Sequence, residues 1–209
     1  TGNIALAPVF YPKLPYDPFK DLAPVTLAGV QPNVCAVSND LKVNDVKGWV
    51  EAMKKDPGKY NYSSTGVGSM SHLSVEIVKL KSDSYAVHLP YASSPLAVLA
   101  IMQGDVHFAC VPPVAVMPQA KAGKLKAIAV TSAKRSKLAP ELPTMAESGF
   151  PDIQALAWMA IMAPAKTPPD IINRMSKEIA AILAEPETQQ TLAVAYMESV
   201  GSTPEELAK

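Results

Sequence analysis

The sequence predicts an α/β protein with two domains, in which mostly parallel sheets are flanked by helices. In the middle of the chain, short apolar runs with β propensity alternate with helical patterns, as is typical of parallel strands joined by crossover helices. Two longer apolar runs, 25–37 and 153–163, lie on either side of this block and are predicted to be strands that cross between the domains. We therefore expect residues 30–152 to form one complete α/β ligand-binding lobe, and residues 1–29 and 153–209 to form the remainder of a second lobe.

The composition argues against several classes of function. The 209 residues carry 19 basic and 19 acidic side chains, a formal net charge of zero, and 6% aromatic residues. The basic residues are scattered and form no stripe, so we expect no nucleic-acid partner. No apolar run reaches the roughly 18 residues that a membrane-spanning helix needs. His72, His88 and His107 lie far apart and no Cys-x-x-Cys spacing occurs, so we expect no metal site.

The two cysteines are predicted to be buried. Cys35 and Cys110 each lie within an apolar run that is typical of a buried strand, where a free cysteine behaves as a small hydrophobic residue. A disulfide between them is compatible with the sequence, but no pattern in the sequence favours one.

The first elements are predicted from proline positions and apolar spacing. A short apolar piece at 4–7 precedes a proline-rich arm at 11–18, which is predicted to be a surface loop. The run 25–37 is predicted to be one long strand that breaks or bulges at Pro32. Residues 44–55 have the pattern of a capped amphipathic helix. Its apolar face consists of Val46, Trp49, Val50 and Met53.

The remaining elements follow from the spacing of apolar residues and from helix-start and helix-stop residues. Strands are predicted at 60–62, 85–91, 106–111, 125–131 and 153–163. Helices are predicted at 72–81, 96–103, 114–122, 170–183 and 187–197. A loop with a short helix is predicted within 132–151, and the pattern at 202–206 predicts one more helix start.

Residues 62–72, hereafter the cradle, have the pattern of a strand end, a glycine-rich turn and a helix start. Gly66 and Gly68 permit positive φ angles, and the serines that follow are natural N-cap residues. The first amides of the helix would then lack intrahelical partners, and such N–H groups bind a carboxylate or a phosphate. The cradle and residues 91–94 both follow strands, so they are expected at the edge where parallel sheets bind ligands. In the alternative interpretation, these glycines and serines only form the turn and cap the helix.

Eight motifs occur in a fixed order along the chain. They are LPYDPFKD (14–21) with APV (23–25), the cradle followed by Leu73, LPY (89–91), KAGKLKA (121–127), VTSAKRS (130–136), LPTMAESG (142–149), APAKTP (163–168) and VGSTPEE (200–206). In this order they resemble the Bug family of periplasmic solute receptors, the binding components of tripartite tricarboxylate transporters. The resemblance implies a two-domain clamshell, similar to periplasmic binding proteins, that holds a small organic carboxylate between its lobes. It also implies a periplasmic monomer that presents this ligand to membrane permease subunits.

The resemblance also bears on the two ends of the chain. Members of the family have a signal peptide, a first strand and a glycine-rich loop before the position of Thr1, and a terminal helix after that of Glu206. We therefore expect one lobe to be incomplete in this chain.

The resemblance implies a ligand site on one wall of the cleft. The residues carried over for the carboxylate are Ser64, Thr65, Gly66, Gly68 and Ser69, with His72, Tyr91, Ala92 and Ser93 completing the wall. Amides and hydroxyls can hold a carboxylate through charge-assisted hydrogen bonds without a buried counter-charge. Where relatives often have an aspartate before Asn-Leu-Pro, this chain has Val111 followed by two prolines. The loss of that acid argues against a ligand with an amino group and favours a less polar carboxylate.

Two other functions compete with a receptor. A serine hydrolase could use Ser69 or Ser71 with His72, but the chain has no Gly-x-Ser-x-Gly elbow and no acid with a role in orienting the histidine. The effector lobe of a transcriptional regulator would need a DNA-binding segment, which is absent. Nucleotide-binding fingerprints are also lacking, so we expect no cofactor, no catalytic residue and no enzyme. Aromatic acids, dicarboxylates and tricarboxylates all remain open as ligands.

Overall fold

The structure is a computed structural model that describes residues 2–10 and 13–209. Its contacts divide the chain into two compact units. The first contains the described residues up to Gln31 together with Ala157–Lys209, and the second is Pro32–Leu156. The arm predicted at 11–18 lies partly outside the described residues, because it includes residues 11 and 12.

The second unit is built on a five-stranded sheet with the order β4-β3-β5-β2-β6. Its strands are β2 (Val34–Val37), β3 (Asn61–Ser64), β4 (Val87–Pro90), β5 (Phe108–Val111) and β6 (Lys126–Val130). β3 pairs parallel with β4 and β5, whereas β2 pairs antiparallel with β5 and β6. β2 follows β1 (Leu22–Pro32) directly across Asn33, without a crossover helix, and it runs against the other four strands.

Four α-helices join these strands, the first of them preceded by a 3-10 helix at Asn39–Leu41, and three of the four begin after a residue whose side chain caps them. They are α2 (Val46–Lys55), α3 (Met70–Ser82), α4 (Ser94–Gln103) and α5 (Pro113–Lys121), and the capping residues are Asp45, Ser69 and Ser93. Asp45 accepts a 2.7 Å hydrogen bond from the amide of Gly48. The four apolar residues predicted for the inner face of α2 are all buried. All four helices were predicted from the sequence, with ends that differ by a few residues.

The core of the second unit lies where α2 and α3 cover the sheet. Trp49 on α2 packs edge-on against Phe108 on β5, with ring centroids 5.0 Å apart. Tyr62 on β3 is fully buried and stacks parallel to Phe108, with centroids 5.9 Å apart. The aromatic rings therefore connect α2 to the strand that leads into the cradle.

A disulfide joins the two cysteines. Cys35 on β2 and Cys110 on β5 occupy directly opposite positions of an antiparallel pair, and their sulfurs are bonded. The expectation of two buried residues is correct, since Cys35 is 1% and Cys110 0% exposed. The bond itself depends on the pairing of strands 75 residues apart, which no local pattern encodes.

The first unit contains a three-stranded sheet with the order β7-β1-β8. Besides β1, its elements are a π-helix at Gly2–Leu6, α1 (Ala7–Phe10), β7 (Leu156–Pro164), α6 (Pro169–Ala184), α7 (Pro186–Val194), β8 (Glu198–Ser199) and α8 (Pro204–Leu207). The predicted helix start at 202–206 is α8, in which Thr203 and Glu206 form a reciprocal capping box. β8 was not predicted, because it has two residues and is defined only by its antiparallel pairing with β1.

The short helix predicted within 132–151 is wrong. Thr144 and Glu147 do form the reciprocal bonds of a capping box, at 2.8 and 3.0 Å. The segment then closes as hydrogen-bonded turns and does not continue, because Gly149 adopts a φ of 96° and Pro151 follows. The capping-box residues are therefore present, but no helix follows them.

None of the helices in the described part of the chain is long and apolar enough to cross a membrane.

Candidate anion-binding site

The cradle and the loop after β4 lie side by side. β3 and β4 are parallel, with Ser64 in register with Pro90, so both strands end at the same edge of the sheet. The amide of Tyr91 donates to the carbonyl of Ser64 at 3.0 Å, which joins the two loops directly. The structure therefore brings together all nine residues that were carried over as a ligand site. Of the loop after β4, Ala92 is exposed and Tyr91 and Ser93 are partly exposed.

The turn of the cradle requires glycine for its backbone conformation. Gly66 has a φ of 116° and Gly68 a φ of 74°. A Cβ added at Gly66 would meet nothing within 4 Å, so space is not the constraint there. Residues other than glycine rarely adopt these positive φ angles, so a substitution at either glycine would strain the backbone.

The hydroxyls of the cradle are bonded mostly to one another and to backbone groups of the cradle itself. Ser69 accepts from the amide of His72 at 3.2 Å as the helix cap, and its hydroxyl donates to the carbonyl of Gly66 at 2.6 Å. The hydroxyl of Ser71 accepts from the amide of Thr65 at 2.9 Å and lies 2.8 Å from the hydroxyl of Thr65. Ser71 was not among the predicted ligand residues, yet its buried hydroxyl is the centre of this network.

The first two amides of α3, those of Met70 and Ser71, cannot be bonded within the helix. Within the described residues, no acceptor is found for the backbone N–H groups of Met70 and Ser71. They belong to the first turn of a helix of 13 residues, where the dipole is positive. This is the arrangement that binds a carboxylate or phosphate oxygen.

His72 faces the inside of the cradle. Its Nδ1 accepts from the amide of Gly68 at 3.3 Å, so the ring proton is on Nε2, which lies 3.9 Å from Oε1 of Glu76. Burial lowers the pKa of His72, and the charge of Glu76 opposes this effect. Among the described residues, no hydrogen bond joins the imidazole of His72 to the hydroxyl of Ser69 or Ser71, so the pairing of these residues that the hydrolase hypothesis requires is not present.

A second histidine, His88 on β4, contacts the first residue of the cradle turn, Ser64. Its Nε2 lies 2.6 Å from the hydroxyl of Ser64, which also accepts from the amide of Gly66 at 3.1 Å. The rings of His88 and His72 are 4.1 Å apart. No pattern in the sequence predicts this contact, because His88 meets Ser64 only through the parallel pairing of β3 and β4.

An ion pair between Glu76 and Lys79 lies next to His72. Glu76 accepts from Lys79 at 2.6 Å and also from the hydroxyl of Tyr62. Burial raises the pKa of Tyr62, and the hydrogen bond to Glu76 raises it further. Burial acts to raise the pKa of Glu76, but the hydrogen bonds from Lys79 and Tyr62 outweigh it and hold the pKa below its usual range. Lys79 is thus committed to Glu76 and is not a free cation for a ligand.

We expect acid to destabilise the protein through His88. Burial, and then the charge of His72, lower the pKa of His88 from 6.5 to about 4. Between these two values the unfolded chain binds a proton that the folded protein does not, so the free energy of unfolding falls as the pH is lowered. Urea unfolding at pH 4 to 8 should show a shallower acid slope for His88→Gln than for the parent protein. If the free energy of unfolding changes with pH in the same way in both proteins, below pH 6.5 as well as above it, this assignment is contradicted.

Comparisons with known proteins cover the whole chain. A family model described as "Tripartite tricarboxylate transporter family receptor" matches residues 1–209. A UPF0065 protein from the tcbD-tcbE intergenic region of Pseudomonas sp. (strain P51) is 32% identical over 95% of this chain and 60% of its own length. Protein BugT of Bordetella pertussis is 30% identical over 99% of this chain and 63% of its own length. The chain therefore spans about three fifths of the length of these curated relatives.

Several solved structures have the same fold. One described as a periplasmic transporter superposes with a TM-score of 0.88 at 36% identity, over 99% of this chain and 69% of that chain. R. palustris Rpa4515 with adipate gives a TM-score of 0.86 at 29% identity, over 95% and 66%. MatC from Rhodopseudomonas palustris with bound malate gives 0.80 at 25% identity, over 94% and 67%.

Proposed function

Because the chain belongs to the family of tripartite tricarboxylate transporter receptors, we propose that it binds a small organic carboxylate at the cradle and acts as a periplasmic solute receptor. The observation that carries this proposal is the pair of unpartnered amides, those of Met70 and Ser71, at the positive end of α3. They supply two N–H donors for one carboxylate group. The glycine-rich turn lets a ligand approach the backbone closely.

The contacts of the cradle support binding through the backbone rather than through a charged side chain. The hydroxyls of Thr65 and Ser71 are engaged with each other, and Ser69 donates to Gly66. These bonds hold the turn in shape, so the amides are organised before a ligand arrives. A preorganised site spends less binding free energy on ordering its own groups. We infer that Tyr91, Ala92 and Ser93 complete the wall, because Tyr91 is bonded to the end of β3.

The solutes of two similar proteins narrow the ligand class. One similar structure contains adipate and another contains malate. Both are dicarboxylates, and we propose a dicarboxylate or a related acid for this chain. Val111 and the two prolines that follow it provide no acid beside the cradle strand, and this supports a ligand without an amino group. Delivery to membrane permease subunits and a periplasmic location are part of the same proposal and are supported by the family match. We propose a monomeric state as well.

A charge reversal at the helix cap tests the site. Ser69→Asp should keep the cap of α3, because aspartate is an equally good N-cap residue and Asp45 already caps α2. The added carboxylate would lie beside the free amides and repel an anionic ligand. We expect affinity for adipate or malate, measured by isothermal titration calorimetry, to fall at least about tenfold.

The matched control is Thr203→Asp, which places the same charge at the N-cap of α8 in the first unit. It should leave the affinity unchanged. If Ser69→Asp folds and binds the acid as tightly as the parent protein, the carboxylate is not held at the start of α3.

A further inference from the structure

We propose that His88 and His72 act as a pair of positioning residues that hold the two glycine amides of the cradle turn inward. His72 accepts directly from the amide of Gly68 at 3.3 Å. His88 acts through Ser64, whose hydroxyl lies 2.6 Å from Nε2 of His88 and accepts from the amide of Gly66 at 3.1 Å. This inference rests on the proposed function, because it assigns the two imidazoles to the shape of the carboxylate site and not to ligand contact.

The hydrogen-bond inventory of Ser64 explains why His88 matters. A serine hydroxyl has one proton and two lone pairs. The carbonyl of Gly66 already accepts from the hydroxyl and the amide of Ser69, at 2.6 and 3.2 Å, and lies 3.2 Å from the hydroxyl of Ser64. An unprotonated Nε2 of His88 is therefore the better acceptor for the proton of Ser64. With that proton directed to His88, a lone pair of Ser64 faces the amide of Gly66.

Ring contacts hold the imidazoles of His88 and His72 next to each other. His88 stacks on Tyr62, with ring centroids 4.8 Å apart, and its centroid lies 4.1 Å from that of His72, which is itself 6.3 Å from Tyr62. The titratable and charged groups that face the pair are Tyr62 from β3 and Glu76 and Lys79 from α3. Glu76 and Lys79 form an ion pair with each other. Burial lowers the pKa of both histidines, so both rings are neutral at neutral pH and each offers one acceptor nitrogen.

Protonation would reverse the role of each ring. A proton on Nδ1 of His72 would point at the N–H of Gly68, and a proton on Nε2 of His88 would replace an acceptor for Ser64 by a donor. In acid the amide of Gly68 would lose its acceptor, and the proton of Ser64 would have to turn away from His88. The turn, and with it the orientation of the amides of Met70 and Ser71, should therefore depend on the neutral state of the pair.

The first experiment needs no ligand. Amide hydrogen exchange is measured by ¹⁵N NMR at pH 7.5 on the full chain and on His88→Leu, which removes the acceptor but keeps an apolar side chain of similar size. We expect exchange at Gly66 to become at least about tenfold faster, as for the loss of one hydrogen bond. In His88→Gln the side-chain carbonyl can again accept from Ser64, so exchange should return to within about threefold of the parent value.

His107→Gln is the matched control. His107 also accepts from a backbone amide of β3, that of Asn61 at 3.1 Å, but at the opposite end of the strand. This change should leave exchange at Gly66 unaltered. If Gly66 exchanges equally fast in His88→Leu and His88→Gln, the ring acts only by packing and the proposal is overturned. An unchanged rate in His88→Leu overturns it as well.

The second experiment links the pair to binding. If the parent protein binds adipate or malate, His88→Leu should weaken this binding about tenfold or more at pH 7.5, and His88→Gln should restore most of the affinity. Equal affinity in all three proteins would overturn the positioning role. If the parent protein binds neither acid, the proposed function fails for these ligands, whereas the exchange data at Gly66 still decide whether His88 holds the turn.

Discussion

Replacing both cysteines by alanine should lower the free energy of unfolding of the second unit by about 4 kcal/mol, because the disulfide joins residues 75 positions apart. Without this bond the unfolded chain gains the entropy of a long open loop. The loop closed by Cys35 and Cys110 contains α2, α3, α4 and the whole cradle. The cost should therefore fall on the unit that contains the candidate site.

The chain allows this unit to be observed separately. It has two tryptophans, of which Trp49 is buried in the core of the second unit and Trp158 lies on β7 of the first. With Trp158→Phe as the background, urea unfolding followed by tryptophan fluorescence reports on the second unit. The free energy of unfolding of the parent protein in the presence of a thiol reductant should equal that of the double alanine variant in its absence. A difference below about 1 kcal/mol between oxidised and alanine proteins would show that the bond does not constrain the unfolded chain.

Local rules account for most of the helices. α2, α3 and α4 each begin after a serine or aspartate cap, and their apolar spacing identified them in the sequence. The break between β1 and β2 was predicted from Pro32 and lies at Asn33. The predicted α/β class is confirmed, and the family predicted from eight ordered motifs is confirmed by a family model that matches the full chain.

The parts that were missed depend on contacts between distant segments. The disulfide needs the register of β2 and β5, and the bond from Ser64 to His88 needs the pairing of β3 and β4. The turn of the cradle could be predicted, because glycine and serine encode it within a few residues. The orientation of its hydroxyls could not, since Ser69 and Ser71 choose among several acceptors only after the fold has placed them.

The buried Thr131 should be a sensitive position for stability. The hydroxyl of Thr131 accepts from the amide of Asn33 at 2.9 Å and donates to the carbonyl of Ala155 at 2.6 Å. Thr131 is 1%, Asn33 2% and Ala155 1% exposed. Thr131→Val keeps the shape of the side chain but leaves one buried donor and one buried acceptor without this partner. We expect a loss of roughly 2–6 kcal/mol in the free energy of unfolding, from about 1–3 kcal/mol for each of the two unsatisfied groups.

The position of these bonds makes the prediction relevant to function as well. Asn33 and Ala155 lie close to the two places where the chain passes between the units, at 31–32 and 156–157. The side chain of Asn33 also donates to Ser74 at 3.2 Å, and Ser74 donates to the carbonyl of Met70 at 2.7 Å, in the first turn of α3. A short chain of hydrogen bonds therefore runs from the threonine to the helix whose amides form the candidate site.

Thr131→Ser separates the hydroxyl from the methyl group. Serine keeps both hydrogen bonds and loses one buried methyl group, so we expect a cost of about 1 kcal/mol. Both variants can be followed by urea unfolding and, where they fold, by calorimetry with adipate or malate. Thr131→Val should weaken binding more than Thr131→Ser, because only valine removes the acceptor of the Asn33 amide. If valine is tolerated as well as serine, the hydroxyl is not what holds the two crossing segments in place, and their anchorage must come from the backbone bonds of Thr131 alone.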